Sequence, residues 1–238
     1  MGTTVTNRRV LLALVGLLLW SQPSQAAIAF VRQATAGPTS ATSLTVTITA
    51  CDTGNILLLS AGAVLAGGSI SSVASTGATW TLIKKSNVQR LAELWVGSPC
   101  GTGTSVVITW SGSVTNGGAN ISEWSGLTAT TTGTPISNSN ARSATITASS
   151  ITTTSADALL LAVGRHAGTY SSGPTESYTG LTTVGTLLTA YRIVAATGSY
   201  FTTWTLTAGS TWESEHAAFV AAVGGASAKR LMLLGVGH

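Results

Sequence analysis

The chain has 238 residues, and 11 Lys and Arg against seven Asp and Glu give it a formal charge of +4. Charged side chains are only 8% of the total, far below the roughly 25% usual in globular proteins. They are scattered apart from Lys84-Lys85 and Lys229-Arg230, which excludes a nucleic-acid partner, because phosphate binding needs clustered cations.

The first element predicted is an export signal. Arg8 and Arg9 precede the apolar run Val10–Trp20, and Ser24 and Ala26 supply the small residues of a cleavage site. The run is too short for the roughly 20 residues of a membrane-spanning helix. Cleavage after Ala26 is expected, with Ala29 the next site, and no membrane span is expected afterwards. Loss of residues 1–26 leaves nine basic side chains against seven acidic ones, a charge of +2.

"SLTVTITA" (residues 43–50) alternates Leu44, Val46 and Ile48 with Thr, the period of a half-buried strand. "ILLLS" (56–60) is continuously apolar, as a strand covered on both faces would be. Cys51 and Cys100, two cysteines in an exported chain, are expected to form one disulfide. Without a suitable histidine pair they make a poor metal site, and neither metal nor cofactor is expected. "TSVVITWS" (104–111) places Val106, Ile108 and Trp110 on one strand face.

The second half rewrites the first. "ACDTGNILLLSAG" (50–62) aligns with "TTTSADALLLAVG" (152–164) at an offset of 102, and "LAELWVGSPCGTG" (91–103) with "LTAYRIVAATGSY" (188–200) at an offset of 97. Glycine-rich turns punctuate both copies, and "ESEHAAFVAAV" (213–223), the counterpart of "GANISEWSGL", reads as a last strand. The expected fold is all-β: an antiparallel sandwich, jelly-roll or Ig-like, of two pseudo-repeats with about six strands each. Its parts are a signal (1–26), repeat 1 (27–127), a polar connector (128–143), repeat 2 (144–225) and a tail (226–238). The alternative is two tandem Ig-like domains.

The order "GNILLLS", "TWTL", "LWVG", "TSVVITWSGS" and "EWSGL", then "ADALLLAVG", "YRIVAATGSY" and "TWTLTAGS", resembles a loosely defined family of duplicated β-sandwich proteins. These occur among bacterial secreted proteins and phage or prophage virion proteins. The resemblance covers residues 43–223 and implies a surface or structural setting without carrying over functional residues.

Catalytic signatures are missing: the sequence has no Gly-x-Ser-x-Gly elbow, phosphate loop, HExxH or cysteine–histidine pattern. In "TWESEH" (211–216), Glu213 and Glu215 share one strand face, a spacing that would suit glycoside hydrolysis. They are read instead as a solvated strand edge, and no catalytic residue is assigned. A binding role asks for less. The segments 66–80 and 165–178 read as equivalent long loops, and the second gathers Arg165, His166, Tyr170, Glu176 and Tyr178 as a candidate glycan platform. The expected role is a secreted or cell-surface protein, not an enzyme, acting in adhesion, glycan binding or assembly. Self-association through β edges or the apolar tail "RLMLLGVGH" is a further expected contact; a virion component is the alternative. The sequon Asn120-Ile121-Ser122 falls within a predicted strand.

Overall fold

The computed structural model describes residues 26–65, 68–88 and 90–223. The export segment up to residue 25 and the tail 226–238 lie outside the described residues. Among the described residues there is no helix, and the fifteen strands pair antiparallel. The first half holds β1 (Ala29–Thr39), β2 (Ser43–Thr47), β3 (Ile56–Val64), β4 (Ile70–Ala74), β5 (Thr79–Ser86), β6 (Leu91–Ser98), β7 (Ser105–Trp110), β8 (Thr115–Ser125) and β9 (Leu127–Thr131). The second holds β10 (Ile136–Thr153), β11 (Ala158–His166), β12 (Tyr170–Ser172), β13 (Thr179–Gly180), β14 (Leu187–Val194) and β15 (Gly198–Ala221).

The halves share one strand order. In the first, the sheet β1-β8-β3-β6-β5 faces the sheet β2-β7-β4. In the second, the path β10-β15-β11-β14-β13 repeats the larger sheet, while β10, β15 and β12 together repeat the smaller. Because β9 pairs with β15 in the second sheet, the counts to compare are eight strands against six, and two breaks explain that difference. The chain interrupts β1/β2 and β7/β8, but their counterparts run on as the long strands β10 and β15. Ile136–Asn140 of β10 pairs with Trp212–His216, and Thr145–Thr153 pairs with Gly198–Thr205. Register shifts around Ser143 let both strands turn from one layer into the other.

Three cores separate the resulting four layers. One, with Leu44, Val46, Leu57, Leu59, Ile108 and Ile121, fills the first sandwich. Another, with Ile146, Leu160, Leu188, Trp204 and Leu206, fills the second. The third, with Ile56, Leu58, Leu94, Trp124, Leu159, Leu161 and Phe219, joins the large sheets back to back. Each copy therefore has its own two-layer core, as tandem domains would, while the third core makes one stacked body.

The doubled apolar run now has its reason. β3 and β11 are central strands of the two inner layers, each with a core on both faces, and β11 is buried along its whole length. Apolar side chains at every position satisfy both cores. Burial on both faces also hides the register. Gly97 pairs with Leu57, and Val194, its equivalent at the 97 offset, pairs with Ala158. Leu57 thus corresponds to Ala158, an offset of 101 rather than 102. The 102 alignment would place Leu57, in the first core, upon Leu159, in the joining core. A one-residue slip exchanges faces, and a run of leucines cannot report it.

The remaining differences arise where polar sequence was read as irregular. The stretch 128–143 is no free connector: it carries most of β9 and the start of β10, both paired to β15. The two long segments read as loops hold β4 and β12, third strands of the outer layers. The Asn120 side chain is buried, donating to Gln33 Oε1 (3.1 Å) and the Thr182 carbonyl (3.2 Å), so the folded protein closes the sequon. Residues 213–221 are strand, as expected.

Candidate functional site

The polar residues fall into a buried seam, a disulfide corner and an exposed rim. The seam lies at one side of the joining core. Odd-numbered residues of β15 face that core, so Glu213 and Glu215 continue the row begun by Ala217 and Phe219. Neither carboxylate is exposed at all. This corrects the reading of Glu213 and Glu215 as a solvated edge, because the first sandwich covers the strand end. Ser86 Oγ donates to Glu213 Oε2, and the Arg90 amide donates to Glu213 Oε1 at 3.3 Å. Arg90 Nε donates to Thr211 Oγ1 at 3.1 Å.

Beside Glu213 in register stands Arg165, also fully buried. Its Nη2 donates to the Asn116 carbonyl at 2.7 Å, while Nε and Nη1 have no hydrogen-bond partner among the described residues. Burial, then the neighbouring Arg90 charge, pushes its guanidinium down to about 10. Both oxygens of Glu215 are likewise without a hydrogen-bond partner among the described residues. Burial pushes Glu215 up to about 9, with Glu213 and Glu93 adding to the rise and Lys84 opposing it. A carboxylate in an apolar site holds its proton, since nothing there replaces water.

The second histidine, His216, faces the other way, into the core of the second sandwich. Its Nδ1 lies 2.8 Å from the Ser149 carbonyl and its Nε2 lies 2.8 Å from Tyr178 Oη. A carbonyl only accepts, so Nδ1 carries the proton and Tyr178 donates to Nε2. Burial holds His216 down at about 4.

The five platform candidates consequently do not form one surface. Arg165 and His166 belong to β11 and point into opposite cores, because adjacent strand residues alternate. His166 is buried with Nδ1 3.0 Å from the Gly168 carbonyl, and Tyr178 is buried against His216. These three leave the proposed platform. Tyr170 and Glu176 remain accessible.

Glu176 lies beside two residues outside the sequence reading, Arg192 and Tyr200, whereas Tyr170 stands apart, in register with Leu206, six residues along β15 from Tyr200. Tyr170 Oη donates to the Gly173 carbonyl, and Arg192 Nη1 donates to the Glu176 carbonyl at 2.8 Å. The Arg192 guanidinium lies over the Tyr200 ring, 5.1 Å from its centre, a cation–π contact. Glu176 and Ser177 have φ of 57° and 58°, uncommon for residues with a Cβ and concentrated at functional turns. Arg192 and Tyr200 flank the β14–β15 hairpin turn, so recognising "VAATGS" as a hairpin would have found them.

The disulfide corner is as expected. Cys51 and Cys100 are bonded, their Cα atoms 5.8 Å apart, tying the chain after β2 to the chain after β6. At offsets of 102 and 97 their counterparts are Thr153 and Thr197, and at the corrected offset of 101 Cys51 falls on the adjacent Thr152, which pairs with Ser199 at the same corner. Thr153 pairs with Gly198, the residue after Thr197, and its Oγ1 accepts from the Gly198 amide at 3.1 Å. The neighbourhood is kept and only the bond type changes. Protein-family models, curated proteins and solved structures yielded no match to this chain.

Proposed function

We propose that this is an exported, non-enzymatic β-sandwich protein that acts by binding at a cell or particle surface. A glycan is its ligand, held at the rim of Glu176, Arg192 and Tyr200. The observation carrying this reading is the partition of chemistry between interior and exterior. Glu213, Glu215, His166 and His216, the groups closest to acid–base use, are buried. General acid–base catalysis requires contact with the substrate, and here that contact would require parting packed layers. At the rim, the Arg192 guanidinium covers the Tyr200 ring and ties down the exposed turn that carries Glu176. Such a set supports recognition of a hydroxyl-rich ligand. The disulfide, with Cys51 and Cys100 both in the folded body, supports an oxidising compartment.

Retention on a polysaccharide array tests the reading. Arg192→Ala and Glu176→Ala should each lose retention while the folded spectrum is kept. Equal retention by both variants would remove the rim from the proposal, and turnover of a retained glycan would replace binding with catalysis.

A further inference from the structure

Sandwich one buries an acid that sandwich two does without. Glu123 is fully buried beside the disulfide, whereas its counterpart at the 97 offset is Val220. Thr153 and Gly198 close the equivalent corner of sandwich two without any carboxylate. A disulfide needs no neighbouring acid, so closing this corner does not itself account for Glu123. The carboxylate is firmly held: Asn55 Nδ2 and the Asp52 amide donate to Oε1 at 2.6 and 3.0 Å, and Arg32 Nε donates to Oε2 at 2.6 Å. These bonds hold it below the usual carboxylate range against the opposing effect of burial. One oxygen and both cysteine sulfurs lie within 4.8 Å of one another, and both cysteines are partly open to solvent.

We propose that Cys51, Cys100 and Glu123 form a redox-gated site for a thiophilic divalent cation of the zinc class. In the oxidised protein the sulfurs are spent on each other and the site is closed. A dithiol reductant opens it: the S–S bond takes two electrons and two protons, giving two thiols, while the reductant becomes a cyclic disulfide. The cation then displaces both thiol protons to solvent and takes two thiolates and one carboxylate oxygen, a donor set suited to zinc or cadmium. Water completes the tetrahedron. Two thiolates, one carboxylate and a divalent cation leave one negative charge, which the Arg32 guanidinium faces. Arg32, Asn55 and the Asp52 amide orient the carboxylate ligand, the office of groups surrounding a metal centre.

Cadmium titration of the reduced, full exported chain provides the test. One Cd2+ per chain should bind with a thiolate-to-metal charge-transfer band, and the oxidised chain should show none. Glu123→Gln should weaken binding about tenfold or more, the usual scale for altering a metal environment. Equal affinity in folded Glu123→Gln, or in urea-unfolded reduced wild type, would overturn the proposal, because any dithiol chain would then suffice. Should Glu123→Gln fail to fold, melting decides. Cadmium should raise the melting temperature of reduced wild type and leave reduced Cys100→Ser unmoved. Absence of that rise also overturns the site.

Discussion

The side chain of Arg165 lies across the bare α-carbon of Gly62. A Cβ built on Gly62 would stand 2.9 Å from Arg165 Cδ, 2.9 Å from the Leu91 carbonyl oxygen and 3.1 Å from Leu187 Cδ1. The first contact is with a buried arginine already fixed to Asn116, and the second is with backbone, so neither yields easily. Gly62→Ala should destabilise the protein by about 1–3 kcal/mol, the range for overpacking a full core. Denaturant midpoints measure it; an unchanged midpoint would mean that the two sandwiches separate easily.

Glu215 sets the alkaline side of the stability curve. Its folded value near 9 lies above the ordinary 4.5, so the folded state keeps a proton that the unfolded chain has released. Stability therefore falls as pH rises from about 4.5 to about 9, by roughly 1.4 kcal/mol per pH unit at most. Glu215→Gln abolishes that slope and should be more stable than wild type by about 3 kcal/mol at pH 7. Urea denaturation across this range gives the comparison, and parallel curves for the two proteins would contradict the assignment.

The buried histidines govern the acidic side with opposite sign. His166 and His216 are each held down at about 4 from an ordinary 6.5. Below 6.5 the unfolded chain takes up protons that the folded state refuses, and stability falls towards pH 4. Together with Glu215 this places the wild-type maximum near pH 6.5. In Tyr178→Phe the ring loses its donated hydrogen bond to His216 Nε2. The expected cost is about 1 kcal/mol at neutral pH, read from chemical denaturation.

Equivalent corners should differ in cost. The Cys51–Cys100 bond closes a separation of 49 residues, for which chain entropy alone suggests about 4 kcal/mol. The Thr153 hydroxyl supplies hydrogen bonds worth about 1 kcal/mol. Under oxidising conditions Cys51→Ser should therefore lower stability several times more than Thr153→Ala. Comparable losses would show that the disulfide adds little to the packing already present.

Strands, their pairing sense and the duplication were legible because Leu44/Val46/Ile48 and Val106/Ile108/Trp110 alternate cleanly. The Leu57–Leu59 and Leu159–Leu161 runs announced burial on two faces but could not announce register. Placement of charge was harder to read. Arg165, Glu213 and Glu215 lie in polar sequence that suggests solvent, and they are enclosed only when the first sandwich packs over them, with Ser86 of β5 on Glu213 and Gly62 of β3 and Asn116 of β8 on Arg165. His166 is drawn inside because β11 extends two residues past Gly164, and Tyr178 because its hydroxyl meets His216 in the second core. Arg192 and Tyr200 are separated by a hairpin turn whose closure, rather than any motif, brings them together.

The unbroken course of β10 and β15 has a mechanical consequence. In sandwich two, each strand passes directly from the inner to the outer layer, so tension between those layers is carried along paired strand with no slack loop between. Sandwich one breaks both strands at the corresponding bends, and the Cys51–Cys100 bridge is its covalent strut at the far corner. Under a pulling force, the oxidised protein resists layer separation in both halves. Once the bridge is reduced, sandwich one becomes the compliant half, and its layers part by unzipping.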